Sequence, residues 1–219
     1  VGKPTDDSGF GGAAFSSVIL DDDADEFNRG AVQVPDPFLK NVLLLHKANE
    51  AVRNAAFEAG VPVGMKDLGA AGIACCSSEI CSSGGFGALI DLDKVPVALA
   101  DMQAEVIACA ETQERYIWAV PRHFSDTVLR IYNEDWSLPD IYEGARAAVI
   151  GEATVALRYT LLHKGEIVCD ANILDVTEGI LYERAEEPHG WDEAEPTVAL
   201  PADLAGTLRR MLASPNLAS

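Results

Sequence analysis

The clearest hydrophobic pattern in the chain lies between residues 36 and 60. Phe38, Val42, Leu45, Ala48, Val52, Ala55 and Ala59 recur at gaps of three and four, the spacing of one helix face. Asp36 stands as a natural N-cap, Pro37 takes the first helical position, and Gly60 follows the end. A short run at 61–66, mostly apolar and partly β-branched, predicts a strand. The small residues Gly69 to Gly72 then turn the chain into a second helix rich in Ala, Cys and Ser. A further strand is expected at 86–92. A helix opening at Asp101 is expected to run to about Arg115 and to feed a strand at 116–120. Ser125 is expected to cap a helix ending near Asp135. Strands follow at 145–155 and 158–163, and Lys164-Gly165 makes a tight turn into 166–170.

The ends read differently. Residues 1–12 form a flexible, acidic, Gly-rich lead, 13–20 a short strand, and 21–26 an acidic, solvated linker. Residues 186–201 hold four glutamates and three prolines without periodicity, an exposed linker, before a helix at 204–212. Alternating strands and helices with a late hairpin predict an α/β (α+β) fold, a mixed sheet with helices packed on it. The expected division is 1–30 as lead-in strand and acidic linker, 31–185 as the folded domain, and 186–219 as linker and helix. Val1 is not an initiator methionine and the last helix has nothing after it to pack on, so the chain reads as a segment of a longer polypeptide.

Composition changes this picture in three ways. The formal charge of −19 argues against nucleic acid or an anionic membrane as partner. The longest charge-poor stretch, 68–90, is broken by Glu79 and filled with Gly, Ser and Cys, so it is not a membrane span. Five cysteines, an odd count without a leading signal sequence, fit a reducing, cytoplasmic compartment. Cys75, Cys76 and Cys81 show no paired spacing or partnering histidine for zinc, and Cys109 and Cys169 sit in apolar contexts as small hydrophobes. The four histidines are scattered, and no nucleophilic triad or GxSxG elbow is present. No catalytic residue is assigned.

Three clusters can carry chemistry. Gln33-Val34-Pro35-Asp36-Pro37-Phe38 ends a polar loop at a helix N-terminus, where backbone N–H groups attract anions and Gln33 can read donors and acceptors. The alternative is a plain cap and loop. Lys66-Asp67-Leu68-Gly69-Ala70-Ala71-Gly72 ends a strand, where open α/β sheets bind ligands. A lone carboxylate there suits Mg²⁺ carried on a phosphate, since Mg²⁺ takes one or two protein carboxylates; the alternative is an Asp that only caps a tight turn. Glu111-Thr112-Gln113-Glu114-Arg115 either presents polar side chains to a ligand or is a solvated helix end.

Taken in order, Gln-x-x-Asp-Pro-Phe, Lys-Asp-Leu-Gly-Ala-Ala-Gly and Glu-Thr-Gln-Glu-Arg resemble the phosphoribosylformylglycinamidine synthase family, in the superfamily of aminoimidazole ribonucleotide synthase. Gly9-Phe10-Gly11-Gly12-Ala13, Ile90-Asp91-Leu92-Asp93-Lys94-Val95-Pro96 and His163-Lys164-Gly165-Glu166 match as well, as does Ser214-Pro215-Asn216-Leu217-Ala218-Ser219. The resemblance implies the carboxyl-terminal domain of the enzyme's first half. It implies an ATP-dependent C–N ligase of purine biosynthesis, in which ATP phosphorylates the formyl-amide oxygen and glutamine-derived ammonia displaces the phosphate. By this resemblance Gln33, Glu111, Thr112 and Gln113 contact formylglycinamide ribonucleotide, and Asp67 holds Mg²⁺. The family's catalytic histidine and main nucleotide-binding residues belong to a preceding domain, so this segment alone is expected to be inactive. Its implied partners are the remaining domains and a glutamine amidotransferase. Pro35 stands where the family usually has glycine, which removes a backbone donor and fixes φ; Thr112 stands where serine is usual. The alternatives are a non-catalytic scaffold domain of the same fold and a superfamily relative with another phosphoryl acceptor.

Overall fold

A computed structural model describes residues 1–6, 36–179, 182, 183, 185 and 199–214, with only the backbone described for 36–43. The expected strand at 13–20, the acidic linker at 21–26, Gln33 and Pro35 lie outside the described residues. Contacts divide the chain into two units, Val1–Leu181 and Tyr182–Ser219. In the second unit, helix Leu204–Leu212 forms as expected, and Asp203 caps it by accepting from the Gly206 amide at 2.8 Å.

In the first unit the order is α1 (Asp36–Ala59), β1 (Gly64–Asp67), α2 (Gly72–Ser83), β2 (Gly87–Asp91), α3 (Ala104–Cys109) and β3 (Tyr116–Ala119). Then come α4 (Ser125–Arg130), a π-helical turn (Ile131–Asp135), α5 (Leu138–Ile141), β4 (Gly151–Thr154), β5 (Arg158–His163), β6 (Glu166–Asn172) and α6 (Ile173–Glu178). The strands make two sheets. β1 and β3 pair antiparallel, with Asp67 opposite Tyr116. The second sheet has order β4-β2-β5-β6, with β2 and β5 parallel and the outer pairs antiparallel. The mixed sheet with packed helices agrees with the expected class.

Two apolar clusters organise these elements. One packs α2 and α3 on β2 and β5 through Ile73, Cys76, Ile90, Ile107, Tyr159 and Leu161. The other packs α1 on α4 and the π-helical turn through Leu45, Val52, Val128, Ile131 and Tyr132. The buried stripe of α1 runs Leu45, Ala48, Val52, Ala56, so toward its end it turns away from the expected Ala55 and Ala59. A polar chain links this cluster to β3: the Trp118 indole donates to the Tyr132 hydroxyl at 2.8 Å, and Tyr132 donates to Asn49 Oδ1.

The structure corrects several expectations. The helix expected from Asp101 to Arg115 is only α3. Asp101 has φ 57, and beyond Ala110 the chain loops because the buried Arg115 side chain takes the carbonyls of Ala110 and Thr112. The strand expected at 145–155 shortens to β4, because the Asn133 amide takes both backbone groups of Ala147, accepting from its N–H at 2.8 Å and donating to its carbonyl at 3.0 Å. Ser125 does not cap α4; its hydroxyl donates to the Arg122 carbonyl, extending a 3₁₀ turn at Arg122–Phe124. Residues 2–5 are buried and not a flexible lead. The helix α6 was not expected; Asn172 caps it, accepting from the Leu174 amide at 2.9 Å.

Asn133→Ala removes the only side chain bonded to both backbone groups of Ala147 among the described residues. Two partly buried groups left unpaired should cost about 1–3 kcal/mol. The check is urea denaturation of the protein, with a lower midpoint and an unchanged slope.

Candidate functional site

The site is built where two backbone segments meet at the carboxyl end of β1. The first, 66–72, leaves the strand at Asp67, whose side chain is exposed. The second is the loop 110–115. The Leu68 amide donates to the Arg115 carbonyl at 2.9 Å, and the Ala71 amide donates to Glu111 Oε1 at 3.0 Å. These two bonds bring the Asp67 turn and the Glu111-Thr112-Gln113 segment together.

Small residues make the meeting possible. Ala71 lies at φ 54 and Gly72 at φ +50. A Cβ on Gly72 would fall 2.2 Å from the Ala110 carbonyl oxygen, so only glycine fits where α2 starts against the loop. A Cβ on Gly69 would lie 3.9 Å from Asp67 Oδ2, so the carboxylate stands over the turn.

Beneath the loop lies Arg115, 4% exposed. Its Nε donates to the Thr112 carbonyl at 2.8 Å, Nη1 to Thr5 Oγ1 at 2.7 Å, and Nη2 to the Ala110 carbonyl. Burial lowers its pKa to about 10, opposed by the Asp6 carboxylate, so it remains a cation at neutral pH. Asp6 also accepts from the Thr112 hydroxyl at 2.8 Å, and Lys3 lies 3.5 Å from Asp6 Oδ2.

The expected site residues therefore hold different positions. Asp67 is exposed at the strand end. Glu111 is half-buried, with one carboxylate oxygen holding the α2 turn. Thr112 is 2% exposed, and its hydroxyl is engaged by Asp6. Gln113 donates its amide to the Glu111 carbonyl at 3.0 Å. Gln33 lies outside the described residues, so the structure does not bring it to the others.

Four residues that sequence reasoning did not assign to the site shape it, two of them, Glu114 and Arg115, inside a cluster it did name. Thr5, Asp6 and Arg115 carry the loop from below. Glu114 sits at φ 57, and its Oε2 is enclosed with no hydrogen-bond partner among the described residues. Burial first, then the Glu114 and Asp67 carboxylates, push the Tyr116 phenol above its usual range. The signal available in the sequence was the charged pair Glu114-Arg115 directly before an apolar strand.

The donor chemistry fits a phosphate-borne Mg²⁺ better than a caged metal. Among the described residues no group of three or more His, Cys, Asp or Glu could hold an ion. Asp67 is an exposed carboxylate at the strand end, and Mg²⁺ needs only one or two carboxylates when phosphates supply the rest. Cys76 is not a ligand candidate, since burial raises its thiol to about 12.

Arg115→Met leaves the carbonyls of Ala110 and Thr112 and the Thr5 hydroxyl without their donor. We expect a loss of about 3–5 kcal/mol, measured as a fall in the urea midpoint. Arg115→Lys keeps the charge but not the three-way fork, and should recover only part of that loss.

Comparison with known proteins gives the family of the chain. The family model for "AIR synthase related protein, C-terminal domain" matches residues 1–164. Phosphoribosylformylglycinamidine synthase subunit PurL of Methanothrix thermoacetophila is 51% identical over 219 residues, covering 100% of this chain and 28% of that protein. The subunit of the same name from Lactobacillus delbrueckii subsp. bulgaricus is 38% identical over 227 residues, again 100% of this chain and 28% of the relative. A structure of T. maritima PurL complexed with FGAR superposes with a TM-score of 0.63 at 26% identity, over 85% of this chain and 29% of that one. The chain thus spans under a third of the length of these relatives. With the loop 110–115 closed on the start of α2 and a family match over most of its length, the chain belongs to the family of AIR synthase related proteins, as a carboxyl-terminal domain of that kind.

Proposed function

We propose that this chain is one part of an ATP-dependent C–N ligase that converts formylglycinamide ribonucleotide to formylglycinamidine ribonucleotide with glutamine-derived ammonia, in purine biosynthesis. The observation that carries the reading is the meeting of Asp67 with the Glu111-Thr112-Gln113 loop at the end of β1. The relatives named PurL, identical at up to half of the aligned positions, and the FGAR complex of T. maritima PurL support it.

In this reading the chain forms one wall of a composite pocket and contributes no catalytic group. Asp67 would hold Mg²⁺, which on the phosphates of ATP neutralises charge developing on the transferred phosphoryl group. Glu111 fixes the α2 turn through Ala71, so the start of that helix keeps a constant distance from the loop. Gln113 spends one amide hydrogen on the Glu111 carbonyl and keeps its own carbonyl oxygen for a donor on the ribonucleotide. Thr112 holds its segment against Asp6, and Gln33 would contact the substrate from the loop before α1. The partners are a glutamine amidotransferase as ammonia donor and the enzyme's other domains, and the compartment is the cytoplasm. No helix among the described residues is long and apolar enough to cross a membrane.

One observation favours a second reading. The Thr112 hydroxyl and a Glu111 oxygen are engaged inside the protein, as they would be in a scaffold domain that keeps the fold without touching substrate. The two readings separate in the full-length parent enzyme by ADP release, with formylglycinamide ribonucleotide plus ammonia against selenide and thiamine monophosphate. Turnover with the ribonucleotide alone is expected. Asp67→Asn should then lower kcat at least about 100-fold and raise the Mg²⁺ concentration needed for half-maximal rate. An unchanged rate would establish the scaffold reading.

A further inference from the structure

The apolar seat of α1 has little to define it. The buried positions Ala48, Val52 and Ala56 are small and recur at gaps of four, with Ala51 and Ala55 beside them. A slide of the helix by one turn, about 5.4 Å, carries Ala48 to the place of Val52 and Val52 to the place of Ala56. One small apolar residue then stands in for another, so packing alone discriminates poorly between the two seats. One residue on this face is different. Asn49 is 7% exposed, and its Oδ1 accepts from the hydroxyl of Tyr132, itself fully enclosed, which in turn accepts from the Trp118 indole at 2.8 Å.

The direction of this chain is fixed by its chemistry. An indole can only donate and a phenol has one proton, so whatever α1 presents to Tyr132 has to be an acceptor. Burial pushes the Tyr132 phenol well above its ordinary range, which keeps that proton in place. One turn to either side of Asn49 stand Leu45 and Arg53, and neither side chain carries an acceptor. Either slide would therefore leave an enclosed hydroxyl without its partner. Asn49 is also only half used: its Nδ2 is enclosed with no hydrogen-bond partner among the described residues. An unpaired buried donor costs stability, so net stabilisation is a poor account of why the amide is there. Selection of one register is the best attested use of such a group.

The platform that reads Asn49 is itself held firmly. Tyr132 lies in the π-helical turn Ile131–Asp135, where the next residue, Asn133, takes both backbone groups of Ala147. Trp118 lies on β3, which pairs with β1 and starts directly after Arg115 of the site loop. The platform is thus tied to both segments of the site, and α1 is the element free to choose a seat on it. The amino end of α1, at Asp36, is about 20 Å along the helix from Asn49 at a rise of 1.5 Å per residue. We infer that Asn49 is a positioning residue that sets the axial register of α1 against β3, and so fixes where α1 begins relative to the 110–115 loop. The consequence for catalysis rests on the proposed function, in which Gln33, three residues before Asp36 in the sequence, contacts the ribonucleotide.

The test uses the full-length parent enzyme and the double variant Asn49→Leu with Tyr132→Phe. Replacing both polar partners by apolar groups of similar shape leaves neither of them unpaired and keeps the fold. Register is read by spin–spin distances from Phe57, 86% exposed on α1, to Val155 and, in a second sample, to Ile167, 92% and 63% exposed. The labels are attached through an encoded azide-bearing residue, which leaves the native cysteines alone. The unsubstituted enzyme should give one narrow distribution for each pair. The double variant should add a second population displaced by up to about 5.4 Å. Its KM for formylglycinamide ribonucleotide should rise at least about tenfold with kcat held within about twofold, the mark of lost substrate positioning. Val128→Ala removes packing from the same cluster without touching the polar chain, and should lower the urea midpoint while distances and KM stay put. Unmoved distances in the double variant, an equal displacement in Val128→Ala, or displaced distances with an unchanged KM would each overturn the proposal. Absence of turnover in the unsubstituted parent would overturn the proposed function instead, and the distances would still decide the register.

Discussion

The buried guanidinium of Arg115 is the constraint on which the rest of this site depends. An arginine is rarely enclosed unless every donor finds an acceptor, and here the acceptors come from three places: Ala110, Thr112 and Thr5. Satisfying them ends α3 early, bends the 110–115 loop, and pulls the first residues of the chain under it. The Arg115 carbonyl then anchors Leu68, so the turn after Asp67 is held by the same residue that shapes the facing loop. The Asp6 carboxylate opposes the desolvation and keeps the cation charged. A lysine, with one compact head, has no geometry for this.

Much of the frame was legible in the sequence, and the reasons are local. The helix α1 announced itself because it buries one face and leaves the other in water, and its drift toward Ala56 is the slow rotation of a 3.6-residue period against a 3.5-residue count. The hairpin β5–β6 was fixed by Lys164-Gly165, where positive φ at both residues meets the demands of a tight turn. The ordered motifs around Asp67 and Glu111 named two segments that the fold brings together through the Leu68–Arg115 and Ala71–Glu111 bonds.

What the sequence hid is non-local. Residues 1–6 read as a flexible lead because their composition is Gly- and Asp-containing, yet their long-range partners lie some ninety or more positions away. No periodicity marks a buried arginine, so the helix pattern from Asp101 ran on through a loop that Arg115 organises. The same blindness affects Thr112. A hydroxyl in a polar motif invites a ligand, and only the fold shows that Asp6 already occupies it. A sequence reports which groups are polar, not which of them remain unspent after folding.

That distinction also bears on the charge of −19. A phosphorylated ligand needs positive surroundings, and the cations near this site are committed elsewhere: Lys3 to Asp6, Lys66 to Glu79, Arg115 to backbone carbonyls. On the proposed function, the described wall would therefore attract a phosphate only through dipoles and an ion. In that reading, backbone amides at the start of α2 would provide partial positive charge, and the Asp67 carboxylate, unfavourable to a bare phosphate, would become favourable once Mg²⁺ lay between it and the phosphate. On the same proposal, an acidic half-site of this kind would bind a metal–phosphate complex and repel the free anion, so its selectivity would come from the same acidic character that makes its net charge look wrong for the task.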